Sequence, residues 1–179
     1  MASTTTRPMT VEEFAKLPET GAYICELRKG EVVQMTRPVF GHVRVQHRIQ
    51  RLLAEAAGDP DAVYIAAPFR PLPEYELRVA HVAYAPKERW NSISSGGCLE
   101  GAPDLVVEVL SPSNTAAEML EREQICLENG CREFWIVDLD RRQIKVSTPE
   151  GRTATYKTGT MIPVFFAPGK TIAVDAVFD

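Results

Sequence analysis

Hydrophobic positions recur at helical spacing in two long segments of the chain. From about Gly41 to Ala57 they form an apolar stripe, and Gly58 supplies a stop signal, so this segment is predicted to be a helix. A second helix is predicted to begin over residues 111–114 and to end at Gly130. The residues Thr10 and Glu13 have the spacing of a capping box, which predicts a short helix that ends at Pro18.

Most of the remaining apolar residues fall in short runs that are typical of β-strands. The runs AYICEL (22–27) and EVVQM (31–35) flank a turn at Gly30 and predict a hairpin. Further strands are predicted at 62–67, 76–85, 104–110, 132–138, 143–148 and 153–158, and a short apolar segment at 171–178. The run DLVVEVL (104–110) is almost continuously apolar, which indicates a strand buried on both faces.

The order of these elements predicts an α/β (α+β mixed) fold in which a mixed β-sheet is flanked by helices. Residues 9–179 are expected to form a single domain after a loose tail of residues 1–8. A proline-rich connection is predicted over 68–73. Residues 87–102, which include Arg89 and Trp90, are predicted to form a solvated surface loop rather than a contact with DNA or with a second subunit.

Composition and charge narrow the classes of function. The chain has 179 residues, 45% of them hydrophobic, which is enough for a core without metals or disulfides. Its formal net charge of -4 gives no overall basic field for nucleic acid, although positive charge could still be concentrated in one groove. Four cysteines without a CxxC pair indicate reduced thiols rather than a zinc site. Without a signal peptide or a membrane-spanning run, a cytoplasmic location is predicted.

Glu108 is the first candidate for chemistry, because it lies in the middle of a strand that is otherwise apolar. A carboxylate at such a position is costly to bury unless it has a cationic partner, backbone donors or a metal ion. The residues alone leave two interpretations open. Glu108 is either a structural acid that an arginine or the backbone satisfies, or a metal ligand or catalytic acid.

Three segments together are similar to a known family. They are PDLVVEVLSPSN (103–114), NGCREFWIVD (129–138) and YICELRKGEVVQM (23–35), the last followed by His42. Over roughly residues 9–178 the chain resembles a bacterial restriction-endonuclease-like family, often called Uma-type, of the PD-(D/E)XK nuclease superfamily. The resemblance implies a restriction endonuclease-like fold, DNA as the substrate, and two acids that hold Mg²⁺ beside a lysine.

Two positions depart from the family's pattern. The family's Arg-x-Pro-Asp corresponds here to residues 78–81, so that His81 stands in place of the first acid. Counting back from Gly130 places Arg122 where the family has a lysine. Arginine keeps the charge, but it cannot donate a proton near neutral pH. Asp104 is not expected to supply the missing acid, because four residues along a strand separate it from Glu108 by about 13 Å. It is expected either to cap the start of its strand or to order the preceding loop.

Other residues are carried over from the resemblance. Glu26 matches the upstream glutamate, and either faces the same cleft or pairs with Arg28 or Arg44 at the surface. His42 is either a packing group or part of the site, and Arg78 and His42 are the predicted nucleic-acid contacts. His47 matches no family position and is expected to face solvent.

These residues leave three functional readings. The favoured one is a family member that keeps the fold, has lost hydrolysis, and binds DNA or another partner as a homodimer. The second is an active endonuclease in which His81, Glu108 and Glu26 hold Mn²⁺ rather than Mg²⁺, with Arg122 as the catalytic cation. In the third, the fold serves an unrelated ligand or partner, Glu108 is purely structural, and no metal cofactor is needed.

Overall fold

A seven-stranded mixed sheet is the centre of the computed structural model, which describes residues 7–18, 24–35 and 38–179. The helices are α1 (Val11–Phe14), α2 (Phe40–Ala57), α3 (Lys87–Asn91), α4 (Ala116–Glu128) and α5 (Val174–Phe178). The strands are β1 (Cys25–Arg28), β2 (Glu31–Gln34), β3 (Val63–Arg70), β4 (Arg78–Tyr84), β5 (Leu99–Glu100), β6 (Leu105–Val109), β7 (Glu133–Asp138), β8 (Gln143–Ser147), β9 (Thr153–Lys157), β10 (Met161–Pro163) and β11 (Thr171–Ala173).

The strand order of the large sheet is β5-β3-β4-β6-β7-β8-β9, with β6 parallel to β7 and antiparallel to β4. Because side chains alternate along a strand, β6 divides between two cores. Val107 packs with Ile49 of α2 and with the β10–β11 hairpin, while Val106 packs with Met119 and Cys126 of α4. Glu108 therefore points toward α4, into the less extensive of the two cores.

The hairpin β1–β2 is separate from the large sheet but is attached beside the start of β4. The backbones of Leu27 and Leu77 exchange two hydrogen bonds of 2.9 Å. Gly30 turns the hairpin with φ +76°, and a Cβ there would lie 2.4 Å from the Cβ of Pro8. Only glycine allows both this backbone conformation and this close contact.

The predicted elements are largely confirmed, including the mixed sheet and the two long helices. The capping box of Thr10 is present, and the helix predicted to end at Gly58 does so, with the glycine in the left-handed conformation. Residues 22–23 of the predicted hairpin and residues 1–6 of the predicted tail lie outside the described residues. Pro8, placed in that tail by the sequence, packs against Gly30.

Several boundaries were wrong, and α1 in particular ends at Phe14 rather than at Pro18. Helix α4 begins at Ala116 rather than at 111–114, because Asn114 accepts a hydrogen bond from the Ser111 amide and closes a turn. Strand β3 continues through Pro68 to Arg70. Pro68 has no N–H to donate, but this is tolerated because β5 pairs with β3 only at Phe69 and Arg70. The C-terminal strands β10 and β11 form a hairpin of which only the second strand lies in a predicted segment.

The segment 87–102 was also predicted wrongly as a loop, because it contains α3 and β5. The side chains of Arg89 and Trp90 in this segment bond to residues outside it or at its end. The indole of Trp90 donates to the carbonyl of Ala62, and Arg89 pairs with Asp104 and donates to the carbonyl of Ala102. Asp104 therefore orders the loop before β6, as predicted.

Ala66 of β3 has a strained backbone, with φ +50° in the middle of a strand. It would pair with His81, but the ladder between β3 and β4 skips this pair. A non-glycine residue in the left-handed region is destabilised by roughly 1–2 kcal/mol.

Replacing Ala66 with glycine is expected to raise the free energy of unfolding by up to about 1 kcal/mol, because the side chain is exposed and the relief of roughly 1–2 kcal/mol of strain exceeds the cost of about 0.5–1 kcal/mol for the greater freedom of glycine in the unfolded chain. The matched control is Ala154→Gly, at an exposed alanine of β9, which should lower it by about 0.5–1 kcal/mol. Urea unfolding of both variants measures the difference. Equal destabilisation by both would show that Ala66 is not strained.

Candidate functional site

Two buried carboxylates face each other across the cleft between the hairpin β1–β2 and helix α4. Glu108 of β6 is 3% exposed and Glu26 of β1 is fully buried. The attachment of the hairpin to β4 brings Glu26 to the backbone of Val79, whose amide donates to Glu26 Oε1 at 2.8 Å. Of the two roles predicted for Glu26, the position in the cleft is the one observed, and its pairing with Arg28 is also present.

The guanidinium of Arg122 lies between these two carboxylates. Its Nε donates to Glu108 Oε1 at 2.9 Å, and its Nη1 lies 2.9 Å from both carboxylate oxygens of Glu26. Its Nη2 donates to the carbonyl of Val79 at 2.6 Å. All three nitrogens of Arg122 are therefore engaged. Helix α4 aims the side chain inward because Met119, Arg122 and Cys126 share its buried face.

His81 completes the cluster from β4. Its Nδ1 lies 3.0 Å from Glu108 Oε2 and 3.0 Å from the backbone nitrogen of Val109. One nitrogen cannot make both hydrogen bonds. Neutral His81 accepts from the Val109 amide, whereas protonated His81 donates to Glu108. Burial lowers the pKa of His81, but the charge of Glu108 outweighs it and raises the pKa, which favours the second arrangement.

The predicted site residues Glu26, His81, Glu108 and Arg122 thus converge in space, with the imidazole on the same side of the sheet as the carboxylate. Whether these residues can bind a metal ion depends on which of their oxygens are free. Each carboxylate oxygen already has a partner: Arg122 and Val79 for Glu26 Oε1, Arg122 and Arg28 for Oε2, and Arg122 and His81 for the two oxygens of Glu108.

This donor set does not fit a divalent ion. Mg²⁺ needs oxygen ligands at about 2.0–2.1 Å in octahedral geometry, and the guanidinium occupies the space between the two carboxylates. Among residues 7–18, 24–35 and 38–179, no three His, Cys, Asp or Glu side chains form a group that could hold a metal ion. Burial raises the pKa of the nearby Cys126 thiol to about 12.

The ion pairs fix the charges of the cluster. Burial opposes the charge on Glu108, but Arg122 and His81 outweigh it and lower the pKa of Glu108 to about 2. Burial also opposes the charge on Arg122, and the two glutamates outweigh it and raise its pKa. Glu108 and Arg122 therefore stay ionised throughout the physiological range.

Glu108 should make stability sensitive to acid. Because its pKa falls from 4.5 unfolded to about 2 folded, its ionised form stabilises the fold above pH 4.5, and this contribution is lost as the pH falls toward 2. Urea unfolding at a series of pH values between 5 and 2 is expected to show a fall of a few kcal/mol (order of magnitude). The slope of the free energy of unfolding against pH should be smaller in Glu108→Gln than in the wild-type protein. In the exposed control Glu31→Gln this slope should be unchanged. Equal slopes in all three proteins would contradict this assignment.

The two predicted nucleic-acid contacts lie beside the cluster. Arg78 is 1% exposed, and its guanidinium is engaged by Glu76 at 2.7 Å and Glu121 at 3.1 Å, so a phosphate would have to displace a carboxylate. His42 of α2 is 7% exposed. Burial and the nearby His81 lower the pKa of His42. His47 faces solvent, as predicted.

Sequence reasoning offered Arg28 as a partner of Glu26, but it missed Glu76 and its ion pair with Arg78. Arg28 donates to Glu26 Oε2 at 2.9 Å, and Glu76 accepts from the amide of Lys29 at 2.9 Å as well as from Arg78. The alternation of Glu76 with Arg78, and of Glu26 with Arg28, was the available signal. Residues two apart in a strand lie on the same face, where opposite charges can pair.

A cavity of about 180 Å³ opens onto the cluster. Arg122, Glu108 and His81 form part of its wall, together with Ala66 and the N-terminal end of α2. Apolar side chains of Met35, Val39 and Met119 line much of the remainder. The cleft is thus accessible to a ligand, while the carboxylate of Glu108 in its wall is neutralised by Arg122 of the same chain.

The fold and the site define a restriction endonuclease-like domain. A solved structure from Anabaena variabilis ATCC 29413, described as a "putative nuclease belonging to DUF820", is similar to this chain with a TM-score of 0.80 and 22% sequence identity, over 96% of this chain and 98% of that one. The family model described as "Putative restriction endonuclease" (Uma2) matches residues 11–178. The chain therefore belongs to the Uma2 family.

Two further findings complete the comparison. Among functionally curated proteins, none matches this chain. In the part of the chain that the structure describes, no helix combines the length and the apolar character that a bilayer crossing requires.

Proposed function

We propose that this Uma2-family protein binds DNA without hydrolysing it, because an arginine of its own chain has replaced the divalent ion. The observation that carries the proposal is the position of Arg122, 2.9 Å from oxygens of both Glu26 and Glu108. Metal-assisted hydrolysis of a phosphodiester needs an ion that polarises the phosphate and lowers the pKa of a water molecule. A guanidinium supplies positive charge to a phosphate, but it does not bind a water molecule and lower its pKa as a metal ion does.

Charge balance supports the proposal. Glu26 and Glu108 carry two negative charges, and Arg122 and Arg28 carry two positive charges within hydrogen-bond distance of them. A cluster that is neutral before any ion arrives has little attraction for a divalent cation. Protonation of His81 makes the cluster positive, and this further disfavours a metal.

Partner and assembly are part of the same proposal. DNA as the ligand is what the family resemblance implies, and a cytoplasmic location is the expectation from the sequence. A homodimer is proposed because symmetric dimers are the commonest oligomers. The open cavity beside the cluster supports a binding role, since the cleft is retained although its chemistry has changed.

A second function has one specific observation in its favour. His81 Nδ1 and Glu108 Oε2 are 3.0 Å apart, and an imidazole beside a carboxylate suits Mn²⁺ better than Mg²⁺. An Mn²⁺-dependent endonuclease would require Arg122 to leave its position between the glutamates.

Two assays separate these functions. Isothermal titration of the wild-type protein with Mg²⁺ and Mn²⁺ should give no heat of binding, and supercoiled plasmid should stay intact with either ion. DNA binding should be measurable by mobility shift and should weaken steeply as salt rises. Mn²⁺-dependent nicking that Glu108→Ala abolishes would establish the second function and overturn the first.

A further inference from the structure

The solvent-facing side of α2 carries a local positive charge that contrasts with the rest of the chain. Between Glu31 and Glu55 the sequence contains four arginines and no acidic residue, although the whole chain has a net charge of -4. On α2 itself, the exposed residues Phe40, Arg44, His47 and Arg51 follow one another at spacings of four, three and four. Such spacing places them in one stripe along the helix, about 16 Å long.

We propose that this stripe (Phe40, Arg44, His47 and Arg51) is a docking surface for single-stranded DNA. The arginines would contact successive phosphates, and the ring of Phe40 would stack on a base. The inference rests on the proposed function, because it names the surface through which the protein holds DNA. The docking surface is supported chiefly by charge complementarity with the DNA phosphates, because this surface is basic although the chain is acidic overall.

The position of the stripe connects it to the cleft. Val39 and His42, next to Phe40 in the sequence, line the cavity that opens onto Glu108 and Arg122. Phe40 is 78% exposed and Val39 is 66% exposed at this end of the helix. A strand that follows the stripe from Arg51 to Phe40 therefore arrives at the mouth of the cavity.

Phe40 is the reason for a single strand rather than a duplex. An exposed aromatic ring gains stacking energy from a base whose face is open, and duplex DNA hides these faces within its own stack. The groups around Phe40 fit the same ligand: a shallow depression on this face is lined by Phe40, Arg44, His47 and Arg51. This combination of cations with an aromatic ring is typical of surfaces that follow a single strand.

Fluorescence anisotropy with a labelled oligonucleotide, in single-stranded and duplex form, tests the surface. Arg44→Gln/Arg51→Gln is expected to weaken single-strand binding roughly tenfold or more, and to reduce the slope of log K against log salt by about 1.4. The control Arg141→Gln/Arg152→Gln removes the same charge from exposed positions elsewhere, and should bind as the wild type does. Phe40→Ala should weaken single-strand binding by about five- to a hundredfold and leave duplex binding unchanged.

The binding results distinguish a failure of the proposed docking surface from a failure of the proposed DNA-binding function. Wild-type protein that binds single strands, together with an α2 double variant that binds equally well and unfolds at the same temperature, would overturn the docking surface and leave DNA binding standing. Wild-type protein that binds neither form of DNA would overturn both. A loss of affinity in the α2 double variant and in Phe40→Ala, with the control intact, supports the surface.

Discussion

Arg122→Ala is expected to lower the free energy of unfolding by about 3–5 kcal/mol, because it leaves two buried carboxylates without their shared cation. Glu26 and Glu108 are almost wholly excluded from water in the wild-type protein, so water that enters the space left by Arg122 replaces its hydrogen bonds only in part. Urea unfolding at neutral pH measures the loss. Part of it should be regained in mildly acidic buffer, where one of the two glutamates can take up a proton.

The control is Arg141→Ala, which removes an arginine that pairs with Asp138 but whose side chain is 74% exposed. Its expected effect is no more than about 1 kcal/mol, since exposed ion pairs contribute little. If Arg122→Ala were as mild as Arg141→Ala, Arg122 could not be the cation that holds the two glutamates together.

The double substitution His81→Asp with Arg122→Lys is expected to give Mg²⁺-dependent nicking of supercoiled plasmid, where the wild-type protein gives none. The change replaces a histidine with a carboxylate and a bridging guanidinium with a compact ammonium. Together with Glu26, Glu108 and Arg28, the variant cluster has a net charge of about -1 with all five groups ionised. It can therefore attract a divalent ion and supply oxygen ligands to it.

Two controls decide how this result is interpreted. Adding Glu108→Ala to the double variant should abolish nicking, which would show that the activity arises at this site. Arg122→Lys alone should remain inactive, because His81 still replaces the first acid. A double variant that folds and binds Mg²⁺ but leaves plasmid intact would contradict the prediction, and would place further losses elsewhere in the cleft.

Much of the fold could be predicted because its signals are local. The apolar stripe and Gly58 fixed α2, and the continuous run around Glu108 identified β6 as buried on both faces. The convergence of Glu26, His81, Glu108 and Arg122 was also predictable, because each residue matches a motif position of a known family. Residues 87–102 were wrongly predicted to be a loop, because their structure depends on contacts with residues outside the segment, Ala62 and Asp104.

The role of Arg122 could not be read from the sequence. The substitution for lysine was visible, and it suggested a cation that faces a phosphate. That the side chain spans both glutamates depends on the hairpin β1–β2, whose position beside β4 is set by the backbone bonds of Leu27 with Leu77. A long-range placement of this kind has no local sequence signal, and the strain at Ala66 has none either.

The thermal stability of wild-type and Arg122→Ala proteins, measured with and without millimolar Mn²⁺, tests most directly whether the arginine occupies the position of the ion. If Arg122 occupies the position of the ion, Mn²⁺ leaves the melting temperature of the wild-type protein unchanged. It should raise that of Arg122→Ala by several degrees, because the uncovered glutamates then bind the ion and the folded state gains its binding energy. The contradicting result would be that Mn²⁺ raises the melting temperature of the wild-type protein and that Glu108→Gln removes this increase. The ion and the arginine would then not compete, and Arg122 would not occupy the position of the ion.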